Sequence, residues 1–265
     1  MLPDDDALTL GFLGVGQFAA YTVTAIRRGG FSGRILLSPR NWNRAHWLEG
    51  EFNCCVMESN QAVVEEANLI VLSVRPADVR ELLLKLEFSS EQVLLSGVAG
   101  VTLDQLRGMC SKPGQIVRFM PACFIEAAEG PIPIFPNHPL VDKVMRRVGP
   151  VFAFDSEDKF ELSVLAATMN SWLYALYHEL VQWFVSSGWD YDQARNLVLR
   201  YVKGSLDYAH KRSDDDLLKI ALDIASEGTF ARAGLQQLTS AGGLSAWVQG
   251  LDVVAAAIRH AGNKI

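Results

Sequence analysis

Two short clusters in the first forty or so residues carry groups suited to holding a phosphorylated nucleotide. The first is Gly14-Val15-Gly16-Gln17-Phe18-Ala19, a GxGxxA pattern. Gly14 permits a tight turn, Gly16 lets a pyrophosphate approach the backbone, and Ala19 lets a helix pack close against the strand before it. A helix beginning at Gln17 and Phe18 presents free amides and a partial positive charge to the phosphates. The second cluster is Ser38-Pro39-Arg40-Asn41. A site for a ribose with free hydroxyls places Asp or Glu there, yet no acid occurs between Phe31 and Leu48. A guanidinium flanked by Ser and Asn suits a 2'-phosphate instead, which a carboxylate would repel. Ser38, Arg40 and Asn41 are therefore assigned to an adenosine 2'-phosphate, with Arg44 as a second cation, and NADP(H) is expected over NAD(H).

The elements that must position these groups alternate between strand and helix. Leu8–Leu13 reads as a buried strand, Gln17–Arg28 as a helix stopped by Gly29-Gly30, and Arg34–Leu37 as a second strand. Pro39–Glu49 is a turn entering a helix, Cys54–Met57 a buried strand and Gln61–Ala67 a short helix. Asn68–Val74 is a nearly continuous apolar strand, as a sheet covered on both faces requires. A helix at Ala77–Leu86 and strands at Val93–Ser96 and Gln115–Arg118 continue the series. This pattern predicts an α/β fold: a doubly wound, mostly parallel Rossmann sheet. Phe152-Ala153-Phe154 ends the strand-bearing half, and only helical periodicity follows. Leu162, Leu165, Met169, Trp172, Leu173, Leu176, Leu180 and Phe184 recur at steps of three and four. The expected division is residues 1–155 for an NADP-binding domain and 156–265 for an all-α substrate and dimerisation domain. The first long helix is apolar around most of its circumference, so a second copy of the chain is the expected cover.

Composition narrows the function classes. The chain has 265 residues, 49% hydrophobic and 20% charged, with net charge −6. No Lys/Arg block provides the basic face a nucleic-acid binder needs. Polar residues from Asn170 to Gln182 interrupt the most apolar stretch, so no membrane span is expected. The acidic opening, Met1 to Asp6, lacks the pattern of a secretory leader, and a cytoplasmic setting is expected. Cys54, Cys55, Cys110 and Cys123 have no metal-ligand spacing, and the five histidines are scattered. Inert reduced thiols and no metal are the expectation.

Four further segments, in order, point to a family. They are Gly11-Phe12-Leu13-Gly14-Val15-Gly16, Val74-Arg75-Pro76, Ser96-Gly97-Val98-Ala99-Gly100-Val101 and Val117-Arg118-Phe119-Met120-Pro121. With them the chain resembles the pyrroline-5-carboxylate reductase family along nearly its whole length. At the carboxyl edge of the sheet, Ser73, Val74, Arg75 and Pro76 would border the ribose and nicotinamide. Ala99 and Gly100 would allow close backbone approach, and Met120 and Pro121 would shape the nicotinamide pocket. Arg118 reads either as part of this edge or as a strand-end salt bridge.

The later half departs from that family where substrate chemistry should sit. The family's Gly-Ser-Gly-Pro-Ala-Tyr aligns with Ala166-Ala167-Thr168-Met169-Asn170-Ser171, and its Ser-Pro-Gly-Gly-Thr-Thr with Ser226-Glu227-Gly228-Thr229-Phe230-Ala231. The final Thr, which the family uses to hydrogen-bond the imine, falls on Ala231, and Ala122 replaces the Asn after Met-Pro. Candidate donors at the rewritten site are Thr229, Ser226 and Tyr174, with Thr168 and Asn170 beside them. Glu227 would pair a substrate amine or cap the helix. Two readings follow. One is an NADPH-dependent oxidoreductase reducing the C=N bond of a small cyclic imine, or a reductase of a different imine or ketone. The other is a catalytically silent NADP(H)-binding sensor or partner protein.

Overall fold

A computed structural model describes residues 4–111, 114–122, 125 and 130–262. The strands are β1 (Thr9–Leu13), β2 (Arg34–Leu37), β3 (Cys55–Val56), β4 (Leu69–Leu72), β5 (Val93–Ser96), β6 (Gln115–Phe119), β7 (Ile132–Phe135) and β8 (Val151–Ala153). Between them run α1 (Gln17–Arg28), α2 (Trp42–Phe52), α3 (Asn60–Glu66), α4 (Pro76–Leu83), α5 (Leu103–Met109) and α6 (Pro139–Met145). The strands form one sheet of order β3-β2-β1-β4-β5-β6-β7-β8, parallel except where β7 runs against β6. The order reverses direction between β1 and β4, which is where open sheets of this type form a crevice at the carboxyl ends of the strands.

Side chains alternate across the pleat and so build a core on each face. Leu10, Phe12, Ile35, Leu37, Leu69, Val71, Leu95 and Val117 point to one, with α1 and α6 packed there. Leu13, Leu36, Ile70, Leu72, Leu94 and Ile116 point to the other, covered by α3, α4 and α5. This is why β4 reads as an unbroken apolar run: both of its faces are buried.

Several expectations are revised. The segment Cys54–Met57 is not a fully buried strand. β3 is two residues long at the sheet edge, so alternation buries Cys54 and exposes Cys55. Burial pushes the Cys54 and Cys110 thiols up to about 11, whereas Cys123 lies outside the described residues. α5, β7 and α6 were not anticipated from the sequence.

The helical part comprises α7 (Glu157–Ser186), α8 (Tyr191–Lys211), α9 (Leu217–Ile224), α10 (Phe230–Ser240) and α11 (Gly243–Gly262). The chain divides into two compact units, but inside α7: one unit runs to Ala167 and includes the chain from Ile258, and the other spans Thr168–Ala257. The boundary lies later than residue 155 because the first turns of α7 belong to the sheet-bearing unit. Phe160 is fully buried, and Glu157 and Glu161 ion-pair with Arg118 on β6.

The second unit has a thin core of Val181, Ala194 and Val198, with Phe184 and Val202 packed against it. Trp172 and Trp247 meet edge to face at 6.0 Å. Large apolar side chains including Tyr174, Trp183, Tyr201, Leu217 and Phe230 stand exposed. Among the described residues no single helix is long and apolar enough to cross a membrane. Among these residues only α10 together with most of α11 (Gly243–Ile258), bent by 45°, reaches that threshold jointly.

Candidate functional site

The loop after β1 is shaped by its glycines and held from both neighbouring strands. Gly14 has φ of +88°, and a Cβ there would lie 2.6 Å from Val74 Cγ1 and 2.9 Å from the Ser73 carbonyl oxygen. Only glycine meets both demands. The Gly14 amide donates to Ser38 Oγ at 2.9 Å, and Ser73 Oγ donates to the Gly14 carbonyl at 2.6 Å. Asn41 Nδ2 donates to the Val15 carbonyl at 2.9 Å. Residues just beyond β2 and β4 thus hold the loop from its two neighbouring strands.

Gly16, the N-cap of α1, has no side chain to offer the first-turn amides. Among the described residues, a Cβ there would meet nothing within 4 Å beyond its own chain neighbours, so packing does not explain the glycine. Open space in front of uncapped amides at a helix N-terminus is what a pyrophosphate requires. Ala19 is fully buried where α1 meets the sheet. Gln17 is exposed, and Phe18 packs edge-on against Phe119 at 5.6 Å.

A cleft of about 550 Å³ opens in front of this loop, lined by Gly14, Val15, Gly16, Arg40, Asn41, Trp42, Asn43, Ser73, Val74, Arg75 and Asp78. Arg40 and Arg75 stand mostly exposed at its walls, and both reach one carboxylate oxygen. Arg40 Nη1 lies 3.5 Å and Arg75 Nε 3.3 Å from Asp78 Oδ2. Of the residues nominated from the sequence, Gly14, Gly16, Arg40, Asn41, Ser73, Val74 and Arg75 line this cleft; Trp42, Asn43 and Asp78 were not nominated. The signal for Asp78 was its place three residues after Arg75, on the same face of α4's first turn. Ser38 is buried and bonds the Gly14 amide, so it acts on the loop from beneath. Pro76 occupies the first position of α4. Arg44 lies beside the cleft, lining a smaller hollow of about 260 Å³ with Asn41, Asn43 and Trp47. Ala99, Gly100, Met120 and Pro121 follow the ends of β5 and β6 and do not line the cleft.

Arg118 is the strand-end ion pair rather than a cleft residue. It is 1% exposed, donates to Glu157 Oε1 at 2.7 Å, pairs with Glu161, and lies over the Phe160 ring at 4.8 Å. Glu157 Oε1 also accepts the Leu103 amide at 2.9 Å, so one carboxylate ties α7 to both β6 and α5. Among the described residues, Arg118 Nε and Nη2 have no hydrogen-bond partner.

In the second unit, a hollow of about 760 Å³ is lined by Leu222, Ala225, Ser226, Glu227, Gly228, Thr229, Phe230, Arg232, Ala233 and Gln236. Two sequence-nominated donors, Ser226 and Thr229, line it, and Tyr174 does not. The Thr229 hydroxyl caps α10: it donates to the Ser226 carbonyl at 2.8 Å and accepts the Arg232 amide at 3.2 Å. Its proton is therefore committed to the chain. Thr229 also supplies the cap that Glu227 was a candidate for, leaving Glu227 exposed on the wall. Phe230 is fully exposed. Tyr174 meets Tyr177 edge-on at 6.2 Å. Among the described residues, no group of three or more His, Cys, Asp and Glu could hold a metal ion.

Comparison with known proteins agrees with this architecture. Residues 9–100 match the family described as NADP oxidoreductase coenzyme F420-dependent. The chain is 27% identical over 248 residues to a pyrroline-5-carboxylate reductase of Pisum sativum, covering 89% of this chain and 90% of that protein. Among solved structures, the Plasmodium falciparum pyrroline carboxylate reductase with NADP bound superposes with a TM-score of 0.84 at 19% identity, covering 97% of this chain and 99% of that one. The 1-pyrroline-5-carboxylate reductase of Streptococcus pyogenes gives 0.81 at 21% identity, covering 97% of each. In fold, in its ordered loop segments and along most of its length, the chain is similar to pyrroline-5-carboxylate reductases.

Proposed function

We propose that this protein is an NADPH-dependent oxidoreductase that reduces the C=N bond of a small cyclic imine. The observation that carries the reading is the cleft itself. A glycine loop with uncapped amides faces two guanidiniums, Arg40 and Arg75, and no acid stands at the end of β2. Gly16 and the first turn of α1 would receive the pyrophosphate. Arg40, Asn41 and Arg75 would take the adenosine 2'-phosphate, with Ser38 holding the loop in register. Val74 and Pro76, together with Ala99, Gly100, Met120 and Pro121 at the neighbouring strand ends, would border the nicotinamide half. NADPH supplies a hydride when bound.

The remaining task is to orient the substrate and protonate its nitrogen. Ser226 and Tyr174 are the donors we assign, because the Thr229 hydroxyl is committed to capping α10. Glu227, on the wall beside Ser226, suits an amine on the substrate. The exposed apolar faces of α7 to α10 suit a second copy of the chain, giving a homodimer joined through the later helices. A cytoplasmic setting, where free thiols persist, fits Cys54, Cys55 and Cys110.

A second reading, an NADP(H)-binding sensor or partner protein without turnover, is favoured by the loss of donors at Ala231 and Ala122 together with the committed Thr229. NADPH oxidation with pyrroline-5-carboxylate and a panel of cyclic imines and ketones separates the two. Turnover of any imine supports the reductase. Tight NADPH binding with every substrate inert replaces it by the sensor.

A further inference from the structure

Asp78 is an unexpected charge in a cleft otherwise arranged for anions. Its carboxylate sits in the first turn of α4, where the helix dipole favours it. It points between two guanidiniums that arrive from different loops, Arg40 after β2 and Arg75 after β4. Both reach the same oxygen, Oδ2, at 3.5 and 3.3 Å. The arginine side chains are 72% and 79% exposed, whereas Asp78 is 29% exposed. Ion pairs this open add little to stability. What the trio changes is the charge that the cleft presents: two cations and one anion line the space next to the glycine loop.

We propose that Asp78 sets cofactor affinity and discrimination by competing with the adenosine 2'-phosphate for Arg40 and Arg75. This rests on the NADP(H) reading given above. A 2'-phosphate carries nearly two negative charges and is best met by both guanidiniums. In the free protein Asp78 already holds them, and on binding it must give them up while remaining a neighbour of the same sign. NADH lacks that phosphate and does not have to displace the carboxylate. The residue therefore weakens NADPH selectively and narrows the gap between the two cofactors.

The test is fluorescence titration of NADPH and NADH against the full-length protein at neutral pH and low ionic strength. Asp78→Asn is expected to tighten NADPH about three- to tenfold and to move NADH by less than about twofold, with the gain shrinking as salt is added. In an Arg40→Ala, Arg75→Ala background the gain should vanish. Asp78→Ser repeats the measurement should the Asn variant fail to fold. An unchanged NADPH affinity, equal shifts for both cofactors, or a gain that persists without the arginines overturns the competition. A wild-type protein that binds NADPH tightly while Asp78→Asn is silent sinks this inference alone. A wild-type protein that binds neither nucleotide sinks the NADP(H) reading and this inference with it.

Discussion

Ser38 shows how one hydroxyl can serve a site without facing it. Its buried hydroxyl receives the half-buried Gly14 amide, and a donor left without a partner costs about 1–3 kcal/mol, least where water can reach it. Ser38→Ala should therefore lower stability by roughly that amount, read from chemical denaturation, and weaken NADPH and NADH alike because the shared pyrophosphate loop loosens. A loss confined to NADPH would return Ser38 to the 2'-phosphate. The cysteines make a second prediction at this scale. Burial raises the Cys54 thiol to about 11, above its ordinary range. The neutral thiol is thus the form the fold prefers, so this contribution to stability is complete below the unfolded-state pKa. It is lost as pH climbs through about 11. In the native protein, a thiol reagent at mildly alkaline pH should label Cys55 first and leave Cys54 protected until unfolding. Equal labelling rates would contradict the burial assigned here.

Among the elements, the join between β6 and α7 depends on the buried Arg118 and its half-buried partners Glu157 and Glu161. Removing one partner of such a group costs about 3–5 kcal/mol, because the remaining charges stay behind unpaired. Both glutamates are partly exposed and can rehydrate, so the lower end is expected for Arg118→Met. Replacing all three by apolar residues of similar size should restore most of the loss. Thermal melts of the single and triple variants check both statements, and a silent Arg118→Met would dismiss the clamp. The same elements show what the sequence displayed and what it concealed. α1, β2 and β5 were legible to the residue, because a parallel strand buried on both faces is an apolar run and Gly29 ends α1 plainly. β7 was not, since Pro133 interrupts Ile132-Pro133-Ile134-Phe135 and weakens the strand pattern. α5 and α6 span only seven residues each and were missed, although α3, of the same length, was read one residue out of register. α5 did carry a capping box, Thr102 with Gln105, that could have revealed it. At the site, the glycines, Arg40 and Asn41 were visible as a local motif. The Asp78 pairing joins two loops and becomes visible only once β2 and β4 flank β1.

For the molecule as a whole, the second unit presents more apolar surface than a thin core around Val181 and Val198 can hide. Monomers rarely leave such faces in water. Sedimentation should find a dimer at micromolar concentration, and Tyr201→Glu with Phe230→Glu should shift it towards monomer. A wild-type protein that stays monomeric would dismiss the expected partner. Gly16 has a consequence at this scale too. Its φ and ψ of −87° and −169° are open to any residue, and among the described residues nothing beyond its own chain neighbours stands within 4 Å of where its Cβ would be. Gly16→Ala should leave folding and assembly intact, or gain about 0.4–1 kcal/mol, while obstructing the approach of a pyrophosphate. It would give a correctly assembled form of the protein that is blind to nucleotide. Placed in a cell against the native form, that variant asks whether the organism needs the molecule with its cofactor or merely needs it present.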